Sequence, residues 1–98
     1  MEPFKFKALI YLLTKLEGGR SNMHDKYQGV INIDEMLGSA VIKFPNEIAT
    51  INVGNEYLVT IFLPFPERIK NKFFVGASFT FFEGDNIIPV KGKVLEIL

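Results

Sequence analysis

The sequence has no cysteine, no tryptophan and a single histidine among its 98 residues. The absence of cysteine excludes disulfide bonds, thiolate metal ligands and cysteine nucleophiles. One histidine is too few for a multi-histidine metal cage. The carboxylate pairs Asp34-Glu35 and Glu83/Asp85 could bind a hard cation or act as acid and base, but each flanks a turn, where solvated carboxylates are routine. We expect neither a metal site nor a bound cofactor.

An excess of one charge and long hydrophobic runs are also missing. Lys+Arg and Asp+Glu both number 11, so the formal net charge is zero and no overall field attracts nucleic acid or an anionic membrane. No apolar run approaches the roughly 18–20 residues of a membrane span, and the first residues lack the plan of a signal peptide. These absences predict a cytoplasmic protein with no membrane partner.

The composition that remains is that of one globular domain, which we assign to residues 1–98. Hydrophobic residues make up 48% of the chain and charged residues 22%. The 10 phenylalanines accompany Ile, Val and Thr, a mixture that favours β-strands. Apolar side chains recur with period two, so that they share one face, in Phe4–Leu12, Glu56–Leu63 and Phe73–Phe82.

Shorter segments of the same kind complete the secondary-structure prediction. Further strands are predicted at Tyr27–Ile33, Ser39–Phe44, Ile87–Val90 and Lys93–Ile97. The stretch Pro66–Lys72 is the one candidate for a helical turn. Since glycine and proline punctuate these runs, six or seven short strands joined by turns predict an all-β, antiparallel barrel or sandwich.

Motifs for catalysis are incomplete. Gly92-Lys93 resembles the end of a phosphate-binding loop, but it lacks the upstream glycine and the following hydroxyl residue. His24 stands beside Asp25 in a polar stretch, where it is either a solvated loop histidine or a general base. We expect that the protein is not an enzyme and has no catalytic residue.

Lysines recur in pairs that are two residues apart, Lys5 with Lys7 and Lys91 with Lys93. On a strand each pair lies on one face. Such pairs either contact phosphates or protect an exposed edge strand from aggregation.

Three phenylalanines fall out of phase with the core-facing positions: Phe62, Phe74 and Phe82. They either cap the ends of the fold or form an exposed apolar patch. In the second case they are the candidate binding residues for a protein partner.

A longer pattern resembles the C-terminal β-barrel domain (domain 3) of bacterial elongation factor Tu. The strand Phe6–Leu12 leads into Glu17-Gly18-Gly19-Arg20, as a strand of that family leads into Glu-Gly-Gly-Arg. Val53-Gly54-Asn55-Glu56 stands where the family has Pro-Gly-Asp-Asn, and Phe79–Gly84 is similar to its stretch ending in Arg-Glu-Gly-Gly-Arg. The resemblance covers nearly the whole chain and implies a single six-stranded antiparallel Greek-key barrel, here without the GTPase domain.

The resemblance also implies candidate RNA-binding residues, because the family's domain helps to bind the T-stem of aminoacyl-tRNA and has no catalysis of its own. Arg20, Gln28, Glu83 and Gly84 are the matching positions that can contact RNA, and their other role is in turn structure. The family's two arginines around Phe-Ala-Ile are Ser78 and Phe82 here, and the second glycine and the arginine after Glu-Gly are Asp85 and Asn86. Losing arginine removes charge that pairs with phosphate.

Two functions therefore stand as expectations. The first is a non-enzymatic binding module, derived from a translation elongation factor, that docks a protein partner. The alternative is a freestanding binder of the tRNA T-stem or acceptor arm.

Overall fold

The computed structural model describes residues 4–45, 50–84 and 86–98, so Asp85, one of the departures from the elongation-factor pattern, lies outside the described residues. Among the described residues, single turns of 3-10 helix cover Lys15–Glu17 and Lys70–Lys72. Within the described part of the chain, no helix is long and apolar enough to cross a membrane. The strands are β1 (Phe4–Leu12), β2 (Met23–His24), β3 (Tyr27–Ile33), β4 (Met36–Lys43), β5 (Thr50–Ile51), β6 (Glu56–Leu63), β7 (Ser78–Phe82) and β8 (Val90–Ile97).

Six of these strands close into one antiparallel barrel in the order β1-β6-β4-β3-β7-β8, with β8 pairing again with β1. Strands β3, β4 and β6 form a meander, and β7 returns to lie beside β3, which is the Greek-key arrangement. The predicted six-stranded antiparallel Greek-key barrel is confirmed. The short strands β2 and β5 form a separate two-stranded ribbon.

The period-two pattern fills the barrel interior as predicted. On β1 the inward positions Phe6, Ala8, Ile10 and Leu12 are all buried. The intervening lysines point to solvent because successive side chains of a strand face opposite ways. The same alternation buries the inward face of β6.

The predicted strand Phe73–Phe82 is shorter than expected, because only Ser78–Phe82 is strand. Gly76 has φ of +93°, a left-handed conformation that turns the chain before β7. Val75, which the pattern places in the core, is therefore 64% exposed.

The predicted strand Lys93–Ile97 is confirmed as part of β8, which begins at Val90 and runs through Gly92. The predicted strand Ile87–Val90 is wrong except at Val90, since Ile87 makes only an isolated bridge with Glu83. A Cβ at Gly92 would lie 2.7 Å from the Phe79 ring, so glycine is required by close packing and does not break the strand. Further along, Ala8 faces Val94 whereas Lys7 faces Glu96, which leaves Leu95 as the extra residue of a β-bulge. The bulge leaves both Leu95 and Glu96 exposed.

The segment between β6 and β7 closes one end of the barrel, which we call the crossover end. Ile69 is 2% exposed and Phe73 is 5% exposed. The Phe73 ring lies against the Phe6 ring with centroids 4.8 Å apart. At the other end, the loop end, Gly18 accepts a backbone hydrogen bond from Ile88 at 3.0 Å, which joins the β1–β2 and β7–β8 connections.

Candidate functional site

A half-buried polar cluster at the loop end joins Arg20, Tyr27 and Glu83. Arg20 Nη1 lies 2.8 Å from Glu83 Oε2, and the Tyr27 hydroxyl donates to the same oxygen. The Arg20 guanidinium also lies over the Tyr27 ring, 5.5 Å from its centroid. Arg20 and Tyr27 therefore both donate to one carboxylate oxygen of Glu83.

Local packing explains the position of the Tyr27 ring. Tyr27 and Gly29 are two residues apart on β3, on the same face. A Cβ at Gly29 would lie 2.8 Å from the Tyr27 ring and 3.1 Å from the Phe81 ring. The missing side chain lets Tyr27 lie across Gly29 towards Phe81 and reach the carboxylate of Glu83.

Burial raises the pKa of Tyr27, and its hydrogen bond to the Glu83 carboxylate raises that pKa further. The phenol therefore stays protonated at neutral pH and acts as a hydrogen-bond donor. Because Glu83 accepts from both Tyr27 and Arg20, the cluster joins the β1–β2 connection, β3 and the residue after β7.

The structure brings together some of the candidate RNA-binding residues. Arg20 and Glu83 are bonded to each other, and Gly84 follows Glu83 in an exposed turn. Gln28 is exposed on β3, opposite Val41 of β4. Sequence reasoning missed Tyr27 as the third member of the cluster, although its spacing from Gly29 was the available signal.

The three out-of-phase phenylalanines do not form one patch. Phe62 is half-buried on β6, where Lys5 Nζ lies 5.8 Å from its ring centroid. Phe74 is 63% exposed on the crossover segment, and Phe82 is 39% exposed on β7. Strands β6 and β7 stand on opposite sides of the six-stranded ring, so Phe62 and Phe82 cannot meet a small ligand together.

The lysine pairs do not protect an edge, because β1 and β8 are each paired on both sides in the closed barrel. Lys91 Nζ instead lies 5.4 Å from the centroid of the Tyr11 ring. The Tyr11 hydroxyl donates to Glu17 at 2.7 Å, and this bond raises the pKa of Tyr11. Lys5 and Lys7 lie instead beside a groove on the outer face of the barrel.

Lys5 and Lys7 line a groove of about 750 Å³ on the outer face of the barrel. It crosses β6, β1 and β8 and includes the end of β4. We call it the docking groove, and its principal lining residues are Lys5, Lys7, Lys43, Leu58, Thr60, Phe62 and Leu95.

Apolar side chains in the docking groove are open to solvent. Leu58 is 60% exposed and Leu95 is 42% exposed. Phe62 lies on the same face of β6 as Leu58, because the residues between them alternate inward and outward. Exposed leucines beside a half-buried phenylalanine give the groove an apolar floor that is left in contact with water.

The groove also has an uneven charge. Its three lysines, Lys5, Lys7 and Lys43, are exposed. Of its two acids, Asp25 accepts the backbone N–H of Phe44 at 2.7 Å, and Glu96 stands opposite Lys7 across β8 and β1. The lysines therefore outnumber the carboxylates, although the whole chain is neutral.

The described residues contain no group of three or more His, Asp or Glu side chains that could hold a metal ion. Among these residues no polar or charged side chain is buried. No protein-family model matches the sequence.

Proposed function

We propose that this protein is a non-enzymatic binding module, related to a translation elongation factor C-terminal domain, that docks a protein partner in the docking groove. The observation that carries the proposal is the exposure of Leu58 and Leu95 beside Phe62 in a concave surface. Removing apolar surface from water contributes about 25 cal/mol for each Å² buried, which offsets part of the entropy cost of association. The lysine stems along the groove add apolar contact and keep their charges in water.

The shape of the groove favours a protein segment over a small molecule. Its volume of about 750 Å³ is spread over several strands on the outside of a closed barrel. Small ligands bind preferentially in clefts that enclose most of their surface. A chain segment laid along β6 matches such an open groove better than a small molecule does.

Site-specific photo-crosslinking in the cells that make this protein tests the proposal. A photoreactive amino acid replaces Leu58 in the groove or, as the matched control, Leu16, which is 101% exposed and lies at the loop end. We expect a discrete crosslinked protein from position 58 and none from position 16. Equal crosslinking from both positions, or none from either, would contradict docking in this groove.

The alternative proposal is tRNA binding at the loop end, and it is supported by the proximity of Arg20, Glu83 and Gly84. The Glu83 carboxylate offsets part of the Arg20 charge, so a phosphate at this position competes with that ion pair. This alternative predicts binding of aminoacyl-tRNA that weakens with salt, by roughly one unit of log-log slope for each phosphate contacted. Arg20→Ala should remove about one such unit, and salt-independent or absent binding would exclude this alternative.

A further inference from the structure

The strand register in the docking groove sets out a pattern of charges and apolar groups. Thr60, between Leu58 and Phe62 on β6, lies opposite Lys7 of β1 on one side and opposite Lys43 of β4 on the other. Neighbouring strands are about 4.8 Å apart, so the two lysines flank Thr60 at nearly equal spacing.

Apolar side chains lie above and below this central position. Leu58 and Phe62 are each two residues from Thr60 on the same face of β6, or about 6.7 Å along the strand. Along the outer face of β6 the order is therefore an apolar residue, Leu58, then Thr60 with a lysine on each side, and then a second apolar residue, Phe62. An extended chain has the same repeat, since its alternate side chains also lie about 6.7 Å apart on one face.

We propose that the docking groove binds an extended protein segment in which an acidic residue lies between two apolar residues, with one residue separating each from the next. The acidic side chain lies over Thr60 between Lys7 and Lys43, and the apolar side chains contact Leu58 and Phe62. This inference rests on the proposed function and specifies the chemistry of the partner at the same site.

The charges around the central position favour an acidic residue there. Lys7 and Lys43 stand directly across from Thr60, and Lys5 stands across from Phe62. Glu96 is one strand further away, opposite Lys7, and Asp25 is occupied by the backbone of Phe44. A basic residue over Thr60 would meet the two lysines first, and like charges in direct apposition are unfavourable.

Titration with short peptides, followed by proton–nitrogen correlation NMR spectra of the whole chain, tests the proposal. The probe is a serine-flanked peptide with leucine, serine, glutamate, serine and leucine in its centre. One control replaces the glutamate with lysine, and another has the same composition with the two leucines adjacent. We expect shifts at Lys7, Lys43 and Thr60, and binding about tenfold tighter than to the lysine peptide, as two exposed charge pairs can provide. The peptide with adjacent leucines should also bind more weakly, because its leucines cannot contact Leu58 and Phe62 together.

Charge exchange provides the matched protein variants. Lys7→Glu combined with Lys43→Glu should lose about tenfold in affinity for the acidic peptide and gain affinity for the lysine peptide. Lys15→Glu combined with Lys70→Glu makes the same change in net charge at exposed positions outside the groove. That variant should bind all three peptides as the unmodified protein does, with an unchanged spectrum elsewhere.

Two results overturn the inference. Equal binding of the three peptides would show that the groove does not distinguish them by charge or by the spacing of their leucines. Absence of NMR shifts would show that the groove does not bind such a segment. If crosslinks still form from position 58 in either case, the groove docks a partner of different chemistry and the proposed function stands. If those crosslinks are absent too, both proposals fail.

Discussion

Close packing in this barrel limits which residue a position can hold, and Gly92 is the clearest case. A Cβ at this position would lie 2.7 Å from the Phe79 ring and 2.9 Å from the carbonyl oxygen of Leu9. We expect Gly92→Ala to lower the free energy of unfolding by about 1–3 kcal/mol, because the core must shift to admit the methyl group. Urea denaturation measures the change, and Gly84→Ala is the control because a Cβ at Gly84 would have nothing within 4 Å.

Glu83 is the acceptor on which the loop-end cluster depends. Its side chain is 26% exposed, and it bonds both Arg20 and Tyr27. Glu83→Gln should lower the free energy of unfolding by about 1–2 kcal/mol, a value reduced from that of a buried charged bond because the pair is partly solvated.

A more exposed ion pair is the control for that change. Asp34 bonds Lys72 at 2.9 Å, with a side chain that is 69% exposed. Asp34→Asn should change the free energy of unfolding by less than about 0.5 kcal/mol. Equal effects of the two substitutions in urea denaturation would mean that the Glu83 cluster contributes no more than a surface pair.

Tyr27 gives the cluster a signature at alkaline pH. Its pKa in the native state is raised above the ordinary 10.0, so above that pH the unfolded chain releases a proton that the native state keeps. The contribution of Tyr27 to the free energy of unfolding is therefore fully present below pH 10.0 and is lost as the pH rises towards the native pKa.

Tyr27→Phe removes this titration. The unmodified protein should have a higher free energy of unfolding than Tyr27→Phe, and this difference should decrease as the pH rises from about 8 to about 11. Urea denaturation at several pH values measures the difference. Parallel curves for the two proteins would contradict the raised pKa of Tyr27.

Strands and connections differ in how well the sequence predicts them. The faces of β1 and β6 follow from period two, because each strand runs without a turn through alternating positions. Period two also predicts one strand over Phe73–Phe82, but the chain turns at Gly76 within this run. The apolar alternation continues unchanged through the turn and therefore does not mark it. Local alternation carries no information about where the chain must turn to close the barrel.

The crossover segment supplies a test at the level of an element. Ile69 is 2% exposed and occupies the space in which a Cβ of Gly38 would lie, so it plugs the crossover end. Ile69→Ala should lower the free energy of unfolding by about 2–5 kcal/mol. Phe74→Ala on the same segment should change it by less than about 0.5 kcal/mol, because that ring is 63% exposed. Similar losses in urea denaturation would mean that the segment does not act as a plug.

For the molecule as a whole, the barrel could be predicted from the sequence, but the docking groove could not. Its lysines come from β1 and β4, and its apolar residues come from β6 and β8. The net charge of zero gave no indication of three lysines on one surface, because a sum over the chain does not say where the charged residues lie. Phe62 and Leu95 both face outward by their phase, but alternation along one strand does not show that β6 and β8 lie on either side of β1.

Photo-crosslinking from position 58, in the unmodified background and in the background of Lys7→Glu with Lys43→Glu, shows in one experiment whether the docking groove holds a partner and whether its lysines select that partner. We expect a discrete crosslinked protein in the first background and a yield about tenfold lower in the second, as the loss of two exposed charge pairs implies. Equal yields in both backgrounds would contradict recognition by the lysines, and no crosslink in either would contradict docking in this groove.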